Sequence, residues 1–271
     1  MRAPAPAKIN LALVVGPLRD DGKHEVLTVY QRVGLHDRID LEAAPRTSVE
    51  GFAGDTIVRE ALEALAQEAG LSGGWRVRIE KRIPVAAGLA GGSSDAATAL
   101  RLANDMLEEP LEPSVLHRLA ALLGADVPFF LCEGVQLGSG DGTTLEPVDL
   151  PQDFWVLLVL PNAAAKPSTA AVYGAFDERD GAHGFDGRRA QLHEALEHIR
   201  RPRDLAALPR NDLASSPVAD ELEALGAFRA DVSGAGPAVY GLFHHRQHAE
   251  AAQRRLKRGA RSWLTAPAWY G

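Results

Sequence analysis

Residues 84–100 read PVAAGLAGGSSDAATAL, and this stretch limits the possible fold more than any other part of the chain. Its first eleven residues hold three glycines and two serines, a composition that flexible linkers also have. A linker would be followed by polar or irregular sequence. Here the stretch follows one regular pattern and runs directly into another, so we predict a tight loop inside a folded unit.

The two patterns that flank the loop differ in period. In the preceding segment WRVRIEKRI, the apolar residues Trp75, Val77 and Ile79 alternate with charged ones, as in a half-buried strand. After the loop, apolar residues from Ala96 to Leu107 recur at helical spacing. The sequence therefore predicts a strand, a glycine-rich loop and a helix in that order.

The loop fits neither of two common phosphate-binding designs. It has no lysine after Gly92, as a Walker loop requires, and its glycines do not follow the dinucleotide pattern G-x-G-x-x-G. Small residues still let backbone amides approach an anion, and Ser93, Ser94 and Asp95 would begin a helix whose N-terminus favours one. From the residues alone, a phosphate-binding loop and a tight packing loop both remain open.

The N-terminal segment predicts a β-hairpin. In KINLALVV, Lys8 and Asn10 fall on one face together with Ala12 and Val14. The turn-forming RDDG follows, and EVLTVYQRVGL is rich enough in β-branched residues to pair as the second strand. A lysine and an asparagine on one face of an apolar strand indicate that this face meets a polar partner.

The rest of the chain predicts an α+β fold of two domains, residues 1–150 and 151–271. Helical patterns cover residues 56–69 and 115–123, the second capped by Ser114. A buried strand, FWVLLVLP, begins at residue 154, just after the expected boundary. Further helices are predicted at 187–200 and 217–227, followed by a glycine turn that enters a strand, then a last helix and strand.

Composition excludes several classes of function. The 271 residues carry a net charge of -7, so we expect no nucleic-acid partner and no attraction to an acidic membrane. No apolar run reaches the roughly 18 residues that a membrane helix needs. The single cysteine, Cys132, allows no internal disulfide and suits a reducing compartment, so we expect a cytoplasmic protein.

Three motifs in order carry a family resemblance: PAKINLAL near the N-terminus, PVAAGLAGGSSDAA in the middle, and DVSGAGPAVYGLF near the C-terminus. Together they resemble the galactokinase, homoserine kinase, mevalonate kinase and phosphomevalonate kinase superfamily. RDDGKHEVLTVYQ, GADVPFFL, the GSGDG turn and KPSTAAVY are similar to the branch of that superfamily whose acceptor carries a cytidine diphosphate group.

The resemblance implies a two-domain kinase with its active site in the cleft between domains, using ATP and Mg²⁺. It makes Asp126 the catalytic base and Lys8 the cation beside it, although Asp126 by itself reads as an ordinary turn residue before a proline. Ser94 is the candidate magnesium contact, and the other metal ligands stay unknown. The implied ATP-binding residues are Pro84, Val85, Ala86, Ala87, Gly88, Leu89, Ala90, Gly91, Gly92, Ser93 and Ser94.

The acceptor side is implied at Asn10, His24, Tyr30, Thr169 and Tyr173. The two tyrosines would stack on a pyrimidine, with core packing as the simpler alternative for each. The motif D-G-Y-H that is common in this family reads Asp-Gly-Lys-His at residues 21–24, so lysine replaces a tyrosine at position 23. The loop likewise has alanine at position 90, where glycine is frequent.

Other polar residues receive weaker predictions. Lys81 and Asp55 fall near nucleotide-contacting positions of the relatives, but we interpret both as surface charges. Gly234 and Gly236 would form an anion nest or a close turn beside the phosphate loop. The segment with His244, His245 and His248 lacks cysteine or carboxylate partners and is expected to be solvated.

The implied function is ATP-dependent phosphorylation of a tertiary hydroxyl on a small molecule with a cytidine diphosphate group, in non-mevalonate isoprenoid precursor biosynthesis. Two alternatives stay open. One is another kinase of the superfamily, of the homoserine or mevalonate type, and the other is a nucleotide-binding protein without catalysis. We expect a monomer or a weak homodimer.

Overall fold

The computed structural model describes residues 1–52, 57–162, 168–256 and 259–268. It confirms an α+β fold, with strands and helices distributed over two sheets. The strands are β1 Arg2–Leu18, β2 His24–Ala44, β3 Ser48–Glu50, β4 Gly74–Glu80, β5 Val135–Ser139, β6 Thr144–Val148, β7 Trp155–Pro161, β8 Arg229–Val232, β9 Val239–Phe243 and β10 Ala260–Thr265. The α-helices are α1 Ile57–Glu68, α2 Gly91–Asn104, α3 Pro113–Leu123, α4 Thr169–Glu178, α5 Phe185–His198, α6 Pro217–Ala224 and α7 Arg246–Leu256.

The first sheet is built around the predicted hairpin. Strand β2 pairs with β1 along one edge, and with β4 and β5 along the other, and all of these pairs are antiparallel. Strands β3 and β6 complete the sheet, β3 parallel to β4 and β6 antiparallel to β5. Helices α1, α2 and α3 cover this sheet, and apolar residues such as Leu62 and Leu100 fill the space between.

The second sheet has the order β10-β7-β9-β8 and is antiparallel throughout. Strands β1 to β6 all precede residue 150 and β7 to β10 all follow it, although the domain boundary itself stays a prediction. One apolar cluster joins the two sheets, because Ile9 and Leu11 of β1 belong to the same buried group as Val156 of β7 and Leu242 of β9.

The strict alternation predicted for β1 is wrong beyond Asn10. The pairing of β1 with β2 shifts register between Asn10 and Ala12, which marks a β-bulge. Because a bulge adds a residue to one strand, it reverses which side chains face which way. Ala12 therefore joins the core, and Leu13, rather than Ala12 or Val14, faces the same cleft as Lys8 and Asn10.

Three further differences concern the helices: two of them begin at other residues than predicted, and one was not predicted. The loop lies between β4 and α2 as predicted, but α2 begins at Gly91, two residues before the expected start. Helix α3 is capped at Glu112 and not at Ser114, because Pro113 occupies its first turn. Helix α4 has no counterpart among the predicted elements. None of the helices in the described ranges has the length and apolar character needed to cross a membrane.

Candidate functional site

A cleft of about 550 Å³ is lined by residues from both halves of the chain. Strands β1 and β2, the glycine-rich loop and the turn after α3 contribute from the first half. Helix α4 and the glycine turn between β8 and β9 contribute from the second. The predicted site residues that line it are Lys8, Asn10, Tyr30, Pro84, Val85, Ala86, Ala87, Gly88, Ala90, Gly91, Gly92, Ser93, Asp126, Thr169 and Tyr173.

Lys8 and Asp126 meet in this cleft. The Lys8 Nζ lies 3.3 Å from Asp126 Oδ1 and 2.7 Å from Asn10 Oδ1, and the lysine is only 3% exposed. Asp126 follows the C-terminus of α3, in a turn that leads into a short 3₁₀-helix, Pro128–Leu131. Its side chain is 33% exposed, so the carboxylate is held by lysine and still open to the cleft.

The turn that carries Asp126 is anchored by Arg32, which the sequence analysis did not single out. The fully buried guanidinium of Arg32 donates to the backbone carbonyls of Phe129, Cys132 and Gly134. The central guanidinium carbon, Arg32 Cζ, also lies 4.4 Å from the centre of the Phe129 ring. Burial lowers the pKa of Arg32 to about 10, which leaves the group cationic at neutral pH. A buried arginine thus fixes the segment immediately after the candidate base.

The glycine-rich loop is held between β1 and the turn after β8. The Lys8 amide donates to the Leu89 carbonyl at 3.1 Å, and the Ser233 hydroxyl donates to the Gly88 carbonyl at 2.9 Å. A Cβ on Gly88 would lie 2.3 Å from the Ser233 carbonyl oxygen. Gly88 also has φ +83°, in the left-handed region. The loop can therefore pack against this turn only with glycine at position 88.

The loop delivers the N-terminus of α2 to the cleft. Ala90 caps the helix in the left-handed conformation, at φ 53°, so Gly91, Gly92 and Ser93 form a first turn that lines the cleft. The free amides and the dipole of a helix N-terminus favour an anion at this position. Two of the predicted loop residues do not line the cleft, because Leu89 and Ser94 are buried in the interior.

The structure gives Tyr30 a different role from the predicted pyrimidine stacking. Its ring stacks on Phe129 at a centroid distance of 5.0 Å, and it is 4% exposed. The Lys8 Nζ lies 5.3 Å from the same ring centre. Burial and the charge of the nearby Asp126 carboxylate raise the pKa of Tyr30 well above its ordinary value. Tyr30 supports Lys8 and Asp126 and is too enclosed to stack on a base.

Tyr173 is better placed for stacking. It lines the cleft from α4, and its ring stacks on His24 at 4.9 Å. Burial, together with the charge of Asp126, raises the pKa of Tyr173 to about 12. His24 itself is buried behind this ring, with Nδ1 2.9 Å from the Gly16 carbonyl oxygen and Nε2 3.4 Å from Asp177 Oδ1. The predicted contact of the His24 side chain with substrate is therefore replaced by support for Tyr173.

Lys81 is not the surface charge that we predicted. Its side chain is 15% exposed and lines the cleft, with Nζ 2.5 Å from Asp37 Oδ2 and 2.7 Å from Asp95 Oδ2. Burial opposes the charge, but the two carboxylates outweigh this effect and raise the pKa of Lys81. The signal was present in the sequence, because the alternation of β4 continues to place Lys81 on the same face as Val77 and Ile79.

Asp141, in the GSGDG turn, is a second cleft residue that was missed. It forms an ion pair with Lys23 at 2.5 Å and accepts a hydrogen bond from the Thr143 hydroxyl at 2.6 Å. Burial acts to raise the pKa of Asp141, but the contacts with Lys23 and Thr143 lower it overall. The lysine that replaces the tyrosine common in relatives thus holds an acidic residue at the edge of the cleft.

The remaining predicted residues lie as follows. Gly234 lines the cleft at φ +56°, and an added Cβ there would lie 3.7 Å from Lys8 Nζ. The segment with His244, His245 and His248 is exposed, as expected of a solvated cluster. Asp55 lies outside the described residues. Within the described ranges, no group of three or more His, Cys, Asp or Glu side chains is arranged to hold a metal ion.

Comparison with known proteins assigns the class first. The model of the GHMP kinases N terminal domain matches residues 56–134, and that of the GHMP kinases C terminal domain matches residues 191–261. A mevalonate kinase structure covers 100% of the chain with a TM-score of 0.77, at 13% identity, which shows a shared fold. The fold is that of a GHMP kinase.

Proteins with higher sequence identity to this chain identify its family within the GHMP kinases. The 4-diphosphocytidyl-2-C-methyl-D-erythritol kinases of Chlorobium chlorochromatii and Pelobacter propionicus are 35% and 38% identical, covering 98% and 97% of this chain and 96% of each relative. A crystal structure of 4-(cytidine 5'-diphospho)-2C-methyl-D-erythritol kinase matches with 31% identity, a TM-score of 0.79, and 99% of each chain covered. The chain belongs to the 4-diphosphocytidyl-2-C-methyl-D-erythritol kinase family. It is a small-molecule kinase, and ATP is its phosphoryl donor.

Proposed function

We propose that this protein transfers the γ-phosphoryl group of ATP to the C2 hydroxyl of 4-diphosphocytidyl-2-C-methyl-D-erythritol, giving the 2-phosphate and ADP in isoprenoid precursor biosynthesis. The observation that carries the proposal is the ion pair between Lys8 and Asp126, 3.3 Å apart in a cleft that also contains the first turn of α2. The names and full-length similarity of the relatives support the choice of acceptor.

Asp126 is the proposed general base. Its partly exposed carboxylate would accept the proton of the C2 hydroxyl as the hydroxyl oxygen forms its bond to the γ-phosphorus and the bond from that phosphorus to the ADP oxygen breaks. Lys8 would pair with this carboxylate and stabilise the charge on the transferred phosphoryl oxygens. Tyr30, whose ring centre lies 5.3 Å from Lys8 Nζ, would help to hold the lysine in place.

The first turn of α2 would bind the phosphates of ATP through the amides near Gly91, Gly92 and Ser93. Magnesium binds proteins through few ligands when nucleotide phosphates supply the others. The Ser94 side chain does not line the cleft, but it directly follows the lining residue Ser93, and its buried hydroxyl has no hydrogen-bond partner in the described structure, so Ser94 is the residue that would hold the ion. When bound, magnesium would neutralise charge on the phosphates.

Tyr173 is the residue that we propose to stack on the cytosine ring. One of its faces is supported by His24, and the ring lines the cleft that contains Asp126. Asn10 and Thr169 also line this cleft and would provide polar contacts to the acceptor. Lys23 stands where relatives commonly carry an aromatic residue, so stacking would rest on Tyr173 alone.

The test is the steady-state kinetics of the Asp126→Asn variant. Loss of the base is expected to lower kcat by about 10² to 10⁴-fold and to leave the affinity for ATP within a few fold. Asp141→Asn is the matched control, because Asp141 is a carboxylate of the same cleft to which we assign no proton transfer. Equal losses in both variants would contradict the assignment of Asp126.

The acceptor is tested separately with the wild-type protein. ADP release is measured with the cytidyl acceptor, with methylerythritol phosphate that lacks the cytidyl group, with homoserine and with mevalonate. We expect turnover with the first compound alone. Turnover only with an acceptor that lacks the cytidyl group would overturn the proposed substrate, and background turnover with all four would favour a nucleotide-binding protein without catalysis.

A further inference from the structure

Thr28 lies behind the cleft on β2 and is 1% exposed. Its hydroxyl oxygen is 2.7 Å from the backbone carbonyl oxygen of Ala12 and 2.8 Å from Asn10 Nδ2. A carbonyl oxygen can only accept a hydrogen bond, so the single hydrogen of the Thr28 hydroxyl is donated to Ala12. Toward Asn10, the Thr28 hydroxyl therefore acts as a hydrogen-bond acceptor.

This direction determines the orientation of the Asn10 amide. Because Thr28 can only accept at that position, Asn10 directs its NH₂ group to Thr28. The Asn10 carbonyl oxygen then points the other way, to Lys8 Nζ at 2.7 Å. In the reversed orientation the NH₂ group would face an ammonium, and two donors would meet in a buried site.

We propose that Thr28 is a positioning residue for catalysis, which acts through Asn10 to fix the Lys8 ammonium. The inference rests on the proposed role of Lys8. Ala12 directly follows the β-bulge in β1, so the bulge supplies the carbonyl that orients Thr28. Two of the three ammonium hydrogens are then directed to Asn10 and Asp126, which leaves the third for a phosphoryl oxygen.

Thr28→Val tests this inference because it keeps the shape of the side chain and removes the hydroxyl. We expect kcat to fall about tenfold, the effect of losing the buried hydrogen bond that orients Asn10, while the KM for ATP stays within about twofold. Thr28→Ser keeps the hydroxyl and is expected to retain kcat within about twofold of wild type. Thr98→Val, at a buried threonine of α2 outside the cleft lining, is the control for removal of a buried hydroxyl.

A double-mutant cycle distinguishes positioning from general stability. If Thr28 acts through Asn10, Thr28→Val added to Asn10→Ala changes kcat by less than about twofold. If the two losses multiply, Thr28 does not act through Asn10 and the inference is wrong. An unchanged kcat in Thr28→Val, with an active wild type, also overturns it.

A measurement without turnover separates this inference from the proposed function. The chain has five lysines, so the Lys8 side-chain signal can be assigned in a ¹³Cε NMR spectrum by its loss in Lys8→Arg. The two Lys8 Hε protons are expected to differ in shift in the wild type and to merge in Thr28→Val, with the Lys81 signal unchanged. Persistent separation in Thr28→Val would overturn the inference, whereas a wild type inactive on the cytidyl acceptor would contradict only the proposed function.

Discussion

Gly88 and Gly92 are both glycines of the same loop motif, yet the structure predicts opposite effects when each is replaced by alanine. An added Cβ on Gly88 would lie 2.3 Å from the Ser233 carbonyl oxygen and 3.0 Å from that of Gly236. At Gly92, in the first turn of α2, the nearest atom to an added Cβ is Ile57 Cδ1 at 3.8 Å. We expect Gly88→Ala to destabilise the protein and Gly92→Ala to stabilise it.

The magnitudes follow from separate contributions. At Gly88 the left-handed φ of +83° costs alanine about 1–2 kcal/mol, and the overlap with backbone costs about 1–3 kcal/mol. Alanine also lowers the conformational entropy of the unfolded chain, which stabilises the folded protein by about 0.4–1 kcal/mol. The net expectation is a loss of about 1–4.5 kcal/mol in the free energy of unfolding. For Gly92→Ala, helix propensity predicts a gain of about 0.5–1 kcal/mol.

Urea unfolding of both variants and of the wild type, followed by circular dichroism, measures these free energies. In a thermal scan, Gly88→Ala is expected to lower Tm by about 2–18 °C. Equal effects of the two substitutions would refute the reasoning, because they would mean that contact between the loop and the turn after β8 does not determine which glycine is required. A neutral Gly88→Ala would show that the turn yields at little cost.

Two other substitutions test neighbouring parts of the cleft. Lys81→Ala removes the cation shared by two buried carboxylates, Asp37 and Asp95, so the free energy of unfolding should fall by about 3 kcal/mol at pH 7. Urea unfolding at pH 7 measures this deficit, and a Lys81→Ala variant as stable as the wild type would contradict this account. Tyr173→Ala should raise the KM for the cytidyl acceptor by about 5- to 100-fold without changing the KM for ATP, whereas Tyr173→Phe keeps the ring and should change the acceptor KM little. If Tyr173→Ala leaves the acceptor KM unaltered, Tyr173 does not stack on the base.

The predicted fold rested on patterns that are local in the chain. The alternation in β4 and the helical spacing in α2 were enough to place the glycine-rich loop between a strand and a helix, as observed. The hairpin of β1 and β2 followed in the same way. Such patterns report which side of an element is apolar, and this property depends only on residues a few positions apart.

The candidate site was predictable in part. Lys8 and Asp126, named from a resemblance, lie 3.3 Å apart in the structure. The same resemblance named Tyr30 as a stacking residue, but packing against Phe129 encloses its ring. Neither motif spacing nor periodicity reports whether an aromatic ring is enclosed, because the enclosing residue comes from a distant part of the chain.

Local sequence patterns and motifs were enough to predict the types of secondary-structure element, the position of the loop and the family of the chain. Which side chains enter the cleft depends on the tertiary structure. The bulge after Asn10 placed Leu13, and not Ala12, in the cleft. Contacts between distant segments also exclude a Cβ at Gly88, whereas a Cβ at Gly92 would have space. The physical reason is that backbone register, burial and steric contact arise between segments far apart in sequence, and local patterns carry no record of them.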